Sequence, residues 1–523
     1  MMKPKLLLIF SAVLLSLALV ACNSTGDTPK ETTLPTTENT AATEAVNTTE
    51  IPTSVPTEAP AEVITEAPTE VPTEAPPVVV TEAPTETPTE IPAEAPSEVL
   101  TEVVTEAPAE TPTEAPTEAE TEPSIKDVLG LDVSLSDLSD LMQPIFSGTT
   151  SVNETVMFLD YGETKTLLYP IDTVISVTSY DGQTVYEEGK DYVVEDGNLI
   201  LPEGSAIPCI TSEKFYHSPG SQLMTEYEGE DVYTHWGEGK IMTDWQVNVS
   251  YTHAEGWDGF SQTCELEVLQ DFVKKLQAGE DVTVLFYGDS ITTGATSSWL
   301  WNYAPYRDSY PHLLVKALAD LFGYTVRFQP TNLTSINGMG TPMVPAEDYV
   351  AGDRGVITYI NTAVGGWTSD NAVTYFDEYV GDWIENYGCD LMVIAFGMND
   401  GAVNIGPRIT AKNLGKVMDG VWAMDESVNI ILMSTIMPNP HAVNGWLNYQ
   451  DKQEKYLDDL MDDYRKENKP CAMTYMTSLS RSILERKDFH DYSGNNINHP
   501  NDYFSRVYAQ ILLETLLGYE NMN

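Results

Sequence analysis

The sequence predicts an α/β fold, a three-layer, doubly wound parallel sheet over residues 265–523, with a smaller all-β sandwich or jelly roll before it. Three observations predict it. Residues 282–287 and 391–396 are unbroken apolar runs, rich in β-branched residues, the pattern of central parallel strands buried on both faces. Segments of helical period alternate with such runs from about residue 265 to the end. Between residues 155 and 251, short strands follow one another with turn signals and no helical segment between them.

The chain opens with Lys3 and Lys5 and an apolar run as far as Val20, the layout of a secretory signal. It closes on Leu19-Val20-Ala21-Cys22, which resembles a bacterial lipobox. Residues 1–22 are therefore expected to be a lipoprotein signal, with Cys22 the lipid-bearing residue after cleavage. The protein would then sit at the bacterial cell surface, held to the membrane by that lipid.

Residues 23–123 reduce to Thr, Glu, Pro, Ala and Val, with Thr-Glu-Ala-Pro recurring as at residues 65–68 and 81–84. They contain no aromatic residue, so little burial can offset chain entropy. Proline favours extended polyproline II, and glutamate repulsion extends it further. At roughly 3 Å per residue such a segment reaches up to ~300 Å, enough to cross a cell wall. It reads as a disordered stalk. The stalk carries 22 acidic residues and one lysine, within a whole-chain charge of −54. The remainder is still strongly acidic, which argues against nucleic acid as a partner and is compatible with a neutral polymer.

Residues 124–264 hold the predicted β domain. A short helix is expected around residues 135–141, then strands over 155–159, 165–169, 173–177, 198–202 and 245–251, with Asp181-Gly182 and Asp196-Gly197 as turns. Tyr216, His217, Tyr233, His235 and Trp236 offer ring faces for sugars; packing against the α/β domain that follows is the alternative role. Cys209, Cys264, Cys389 and Cys471 are scattered without metal-ligand spacing. No metal, cofactor or functional disulfide is expected.

From residue 265 the apolar positions 266, 269, 272, 273 and 276 mark a first helix. Further helices are predicted over 311–322, 371–387, 411–424, 450–465 and 502–517, and strands over 282–287, 324–328, 356–360, 391–396, 428–434 and 472–476. Residues 331–355 read as an insertion.

Four short blocks lie at the ends of these strands or before these helices: Gly288-Asp289-Ser290, Asn361 with Gly365-Gly366, Gly397-Met398-Asn399-Asp400, and Asn498-His499-Pro500. A serine at the C-terminal edge of a parallel strand sits where open α/β sheets bind ligands. It is a weak nucleophile until a base takes its proton, so it requires a histidine and donors for an oxyanion.

In this order the blocks resemble the GDSL/SGNH hydrolase family, over roughly residues 280–520. The resemblance implies Ser290 as nucleophile and His499 as base. It implies an oxyanion hole made by Ser290, Gly366 and Asn399. The family has Asp three residues before the histidine; here that position is Asn496. Either another carboxylate orients His499, with Asp502 and Asp491 the nearest in sequence, or a neutral acceptor such as Asn496 does so in a Ser–His dyad, as in some carbohydrate esterases of this fold.

Aromatic residues cluster beside the blocks: Trp299, Trp301, Tyr303, Tyr306, Trp367 and Trp446. With the acidic composition and the stalk they point to sugar rather than lipid. The expected activity is removal of small acyl groups, acetyl foremost, from an acylated polysaccharide. A lipid or peptidoglycan O-acyl esterase, or a non-catalytic glycan-binding surface protein, are the alternatives.

Overall fold

The computed structural model describes residues 128–131, 142–221, 223–331, 344–442 and 449–519. Cys22, the stalk, the helix expected at 135–141, Trp446 and much of the 331–355 insertion lie outside the described residues.

The α/β half is built on one seven-stranded sheet: β9 (Val282–Gly288), β10 (Thr325–Phe328), β11 (Tyr349–Val350), β12 (Val356–Asn361), β13 (Leu391–Ala395), β14 (Asn429–Met433) and β15 (Cys471–Thr474). Their spatial order is β11-β10-β12-β9-β13-β14-β15. All neighbours are parallel except β10 and β11, which pair antiparallel, so the sheet is mixed at one edge. The chain leaves β9 toward β10 and β12 on one side, then crosses to β13, β14 and β15 on the other. The C-terminal end of β9 is therefore the topological switch point, where flanking loops diverge and leave a crevice.

β9 is buried along its whole length because both its faces are covered by helices. Helices Tyr310–Phe322, Gln450–Lys466 and Asp502–Leu517 match their expected bounds to within one residue; Pro407–Met424 begins a turn earlier than expected, with Pro407 at its first position, and the helix expected over 371–387 is broken into Ser369–Thr374, a π-helical turn Asp377–Gly381 and Asp382–Tyr387. The first ends at Gly323, whose left-handed φ of 73° gives the chain its exit.

The N-terminal strands differ from the expected pair of extended sheets. β1 (Thr150–Met157), β3 (Thr173–Ser179) and β8 (Gln246–Thr252) form one antiparallel sheet in the order β1-β8-β3. β2 (Thr164–Lys165), β4 (Val193–Glu195) and β5 (Asn198–Ile200) form a second, and β6 (Met224–Tyr227) with β7 (Glu230–Tyr233) a lone hairpin. This region shares its core with the α/β half. Val156, Phe158, Val247 and Tyr251 belong to the same buried cluster as Leu314, Phe504 and Tyr508. The two stretches also meet through ion pairs, one of them fully buried. Lys487 Nζ lies 2.6 Å from Glu154 Oε1, with both side chains fully out of water. Lys165 Nζ lies 2.5 Å from Asp488.

Candidate active site

The strand-to-helix turn after β9 explains the position of Ser290. Gly288 faces Ala395 of β13 in register, and a Cβ there would lie 2.7 Å from the Ala395 carbonyl oxygen. Only glycine permits that approach. Asp289 is then the N-cap of the short helix Ser290–Thr293, its Oδ1 accepting from Ile291 N–H at 3.0 Å. As the first residue of that helix, Ser290 has a backbone N–H without an intrahelical acceptor.

The second and third blocks are tied to the same edge. Thr362 N–H donates to Phe286 O at 2.9 Å and Val364 N–H to Gly288 O at 3.0 Å. Asn361 Nδ2 donates to Thr292 O at 2.9 Å. Gly366 sits in the loop that follows, with φ 78°. Asn399 donates one amide hydrogen to Trp367 O at 2.9 Å, which leaves its second donor for a ligand. The next residue, Asp400, is buried and accepts from Ser369 N–H at 3.0 Å and Thr410 Oγ1 at 2.7 Å. It pins the Asn399 turn to the helix after Gly366.

His499 Nε2 lies 2.8 Å from Ser290 Oγ, across 209 residues of sequence. Its Nδ1 lies 3.1 Å from the carboxylate of Glu238, a residue of the N-terminal half. A carboxylate at Nδ1 selects the tautomer with the proton there and leaves Nε2 free to take the serine proton. Asn495 organises both partners. Its Oδ1 accepts from the backbone N–H of Ile497, Asn498 and His499, and its Nδ2 donates to Glu238 Oε1 at 3.0 Å.

The orienter expected from the sequence is corrected. Asn496 makes no contact with the imidazole. Its Nδ2 donates to His235 O at 2.8 Å and Thr234 Oγ1 at 3.2 Å, and its Oδ1 accepts from Asn439 at 3.2 Å. Its φ of 64° lies in the left-handed region. The amide therefore holds the strand end that leads to Glu238. Neither alternative carboxylate serves instead: Asp502 accepts from Ser298 N–H at 2.9 Å and Asp491 from Met157 N–H at 2.9 Å. Sequence reasoning missed Glu238 and Asn495. The one signal for Glu238 was its place between Gly237 and Gly239; β6–β7, which delivers it, was announced by Glu228-Gly229 between two alternating runs.

The electrostatics follow from this geometry. Burial alone would raise the Glu238 carboxyl, but the His499 charge and the hydrogen bonds from His499 and Asn495 outweigh it and leave the group below the ordinary glutamate range. Burial would lower His499, yet the Glu238 charge and hydrogen bond, with a contribution from Asp289, hold it above the ordinary histidine value. Burial pushes Asp289 up to about 7 despite the Ile291 N–H and the His499 charge. Such an array can activate a hydroxyl for attack on an acyl carbon.

The flagged aromatics separate by exposure. Trp367 is fully buried and stacks on Tyr375 at 5.1 Å, and Tyr303 is buried, so neither offers a face to a ligand. Tyr216 is buried and stacks on Tyr227 at 3.6 Å. Trp301 and Tyr306 are exposed. A cavity of about 260 Å³ beside Trp257 and Phe260 is lined by none of Ser290, His499 and Glu238.

Residues 284–509 match the model of the GDSL-like lipase/acylhydrolase family. The chain thus carries a domain of that type from β9 into the last helix, while Glu238 lies outside it. No curated protein matches the chain. Among solved structures it is similar to a two-domain esterase active on acetylated mannans, co-crystallized with mannopentaose, at 16% identity and a TM-score of 0.34 over 50% of this chain and 56% of that one. It is also similar to a catalytic mutant of an acetylxylan esterase from Geobacillus stearothermophilus, at 13% identity and a TM-score of 0.31 over 45% of this chain and 94% of that one. The chain therefore spans little more than half the length of the first of these.

Proposed function

We propose that this chain, with its GDSL-like acylhydrolase domain, is a serine esterase that removes small acyl groups, acetyl foremost, from a polysaccharide. The observation that carries the reading is the chain of contacts Ser290 Oγ–His499 Nε2 and His499 Nδ1–Glu238. Ser290 Oγ attacks the ester carbonyl as its proton passes to His499 Nε2. The oxyanion is received by the Ser290 and Gly366 N–H groups and the free Asn399 amide hydrogen. His499 then returns the proton to the sugar oxygen as its bond to the acyl carbon breaks, and a water activated by the same ring releases the acyl group.

The substrate class rests on surface chemistry. A net charge of −54 disfavours anionic lipid surfaces and anionic polymers. The exposed aromatics after the nucleophile suit the apolar faces of sugar rings. The same proposal includes anchoring through Cys22, which would place the catalytic domain at the end of a long stalk outside the cell; in membrane fractionation, Cys22→Ala is expected to leave the membrane pellet.

Ser290→Ala is expected to keep the fold and to lose at least about 1000-fold in turnover of a chromogenic acetate ester, since the attacking group is gone. Turnover at the parent rate would remove the serine esterase reading. Acetate release from acetylated xylan, mannan and peptidoglycan, measured side by side, then selects the polymer.

A further inference from the structure

Trp301 is the only exposed tryptophan among the described residues, with 46% of its surface in water. Two contacts fix its ring. Its Nε1–H donates to Ala295 O at 2.5 Å. Its six-membered ring lies against Gly239, where a Cβ would sit 3.4 Å from Cε3. Gly239 has φ 77°, a left-handed conformation that favours glycine, and its α-carbon comes close enough for a Cβ to be in van der Waals contact with the ring. The Gly239 carbonyl is held by Tyr303 OH at 3.4 Å, and Tyr303 in turn receives Thr243 Oγ1 at 3.2 Å.

These anchors place the indole between the two parts of the catalytic apparatus. Ala295 lies just past Gly294, the C-cap of the Ser290 helix, and Gly239 follows the Glu238 that holds His499. One face of the ring is spent on the Gly239 backbone, and the exposed remainder is a rigid apolar surface in water. Such surface is unfavourable until something covers it. The neighbouring tryptophans do not compete for the role. Trp299 is half-buried and edge-on to His312 at 5.1 Å, and Trp367 is in the core.

We propose that Trp301 is the stacking platform for a sugar ring of the substrate, and so the residue that selects a pyranose chain over a simple alkyl ester. This rests on the esterase reading above and extends it to a named contact. A pyranose has a C–H face that lies flat on an indole, while its hydroxyls stay in water.

The test is binding, measured by calorimetry in the catalytically silent Ser290→Ala background with acetylated manno- and xylo-oligosaccharides as probes. Trp301→Leu keeps an apolar side chain over Gly239 but removes the aromatic face; it is expected to weaken binding by about tenfold. Trp301→Phe keeps a flat ring and is expected to stay within about threefold of the parent. Equal affinity in the Leu variant, or equal loss in Leu and Phe, overturns the platform while leaving the substrate class standing. Absence of binding by the Ser290→Ala protein itself to every oligosaccharide overturns the platform together with the carbohydrate reading.

Discussion

At residue 496 an amide stands where the family resemblance leads one to expect an acid, and its partners explain the exchange. The Asn496 Nδ2 group faces two acceptors, His235 O and Thr234 Oγ1. A carboxylate there would set oxygen against a carbonyl oxygen. Asn496→Asp, which restores the family's letter, is therefore expected to lower kcat by about 10- to 100-fold, with KM nearly unchanged, and to cost about 1–3 kcal/mol in urea unfolding. A gain in kcat would mean that an acid at 496 reaches His499 after all. The Glu238–His499 pair sets a second expectation. Glu238 is lowered, so its contribution to stability is present above its unfolded value and fades as pH falls through the folded one. His499 is raised, so its contribution is present below its unfolded value and fades as pH rises through the folded one. The melting temperature of the parent should exceed that of Glu238→Gln most between about pH 4.3 and 6.5, and the gap should narrow on both sides. Catalysis needs the neutral ring, so activity rises with pH as this stabilisation fades.

At the scale of elements, the site depends on how β1 and β6–β7 meet the segment before His499. Lys487 opens the approach to helix Phe489–Tyr492, and its ammonium is paired with Glu154 of β1 with neither side chain exposed. Glu154 also accepts from Leu168 N–H at 2.8 Å and Tyr251 OH at 2.7 Å. Lys487→Met keeps the bulk and leaves that carboxylate without its counter-charge. It is expected to destabilise the protein by about 3–5 kcal/mol in chemical denaturation. Parent-like stability would show that the neutral donors suffice. The hairpin is joined to the α/β half by Glu226 N–H to His441 O at 2.7 Å, and Asn439 N–H reaches Ile497 O at 2.8 Å. These bonds put the hairpin, the 439–442 loop and the histidine loop in one frame.

At the scale of the whole molecule, what the sequence discloses tracks how local its cause is. The six parallel strands of the sheet were legible because buried parallel strands write themselves as apolar runs, as in residues 282–287 and 391–396, whereas the two-residue antiparallel edge strand β11 lies in what read as an insertion. Ser290 and His499, which the structure brings into contact, were legible because each sits in a short block at a strand or helix end. Glu238 was not, being one of 80 acidic residues and 261 positions from the histidine it serves. Nor was the shared core of the two halves, since strands over 155–251 read the same whether they close on themselves or on a neighbour. His499 is thus held by a carboxylate contributed from outside the matched hydrolase domain, and this contact is what its catalytic role depends on. The pH–rate profile of Glu238→Gln tests it most directly. Loss of the charge should lower kcat by about 100- to 10,000-fold and move the acid limb of kcat/KM to lower pH, because His499 loses what holds its affinity for protons up. A variant with the parent's acid limb and a kcat within about threefold of the parent would contradict it.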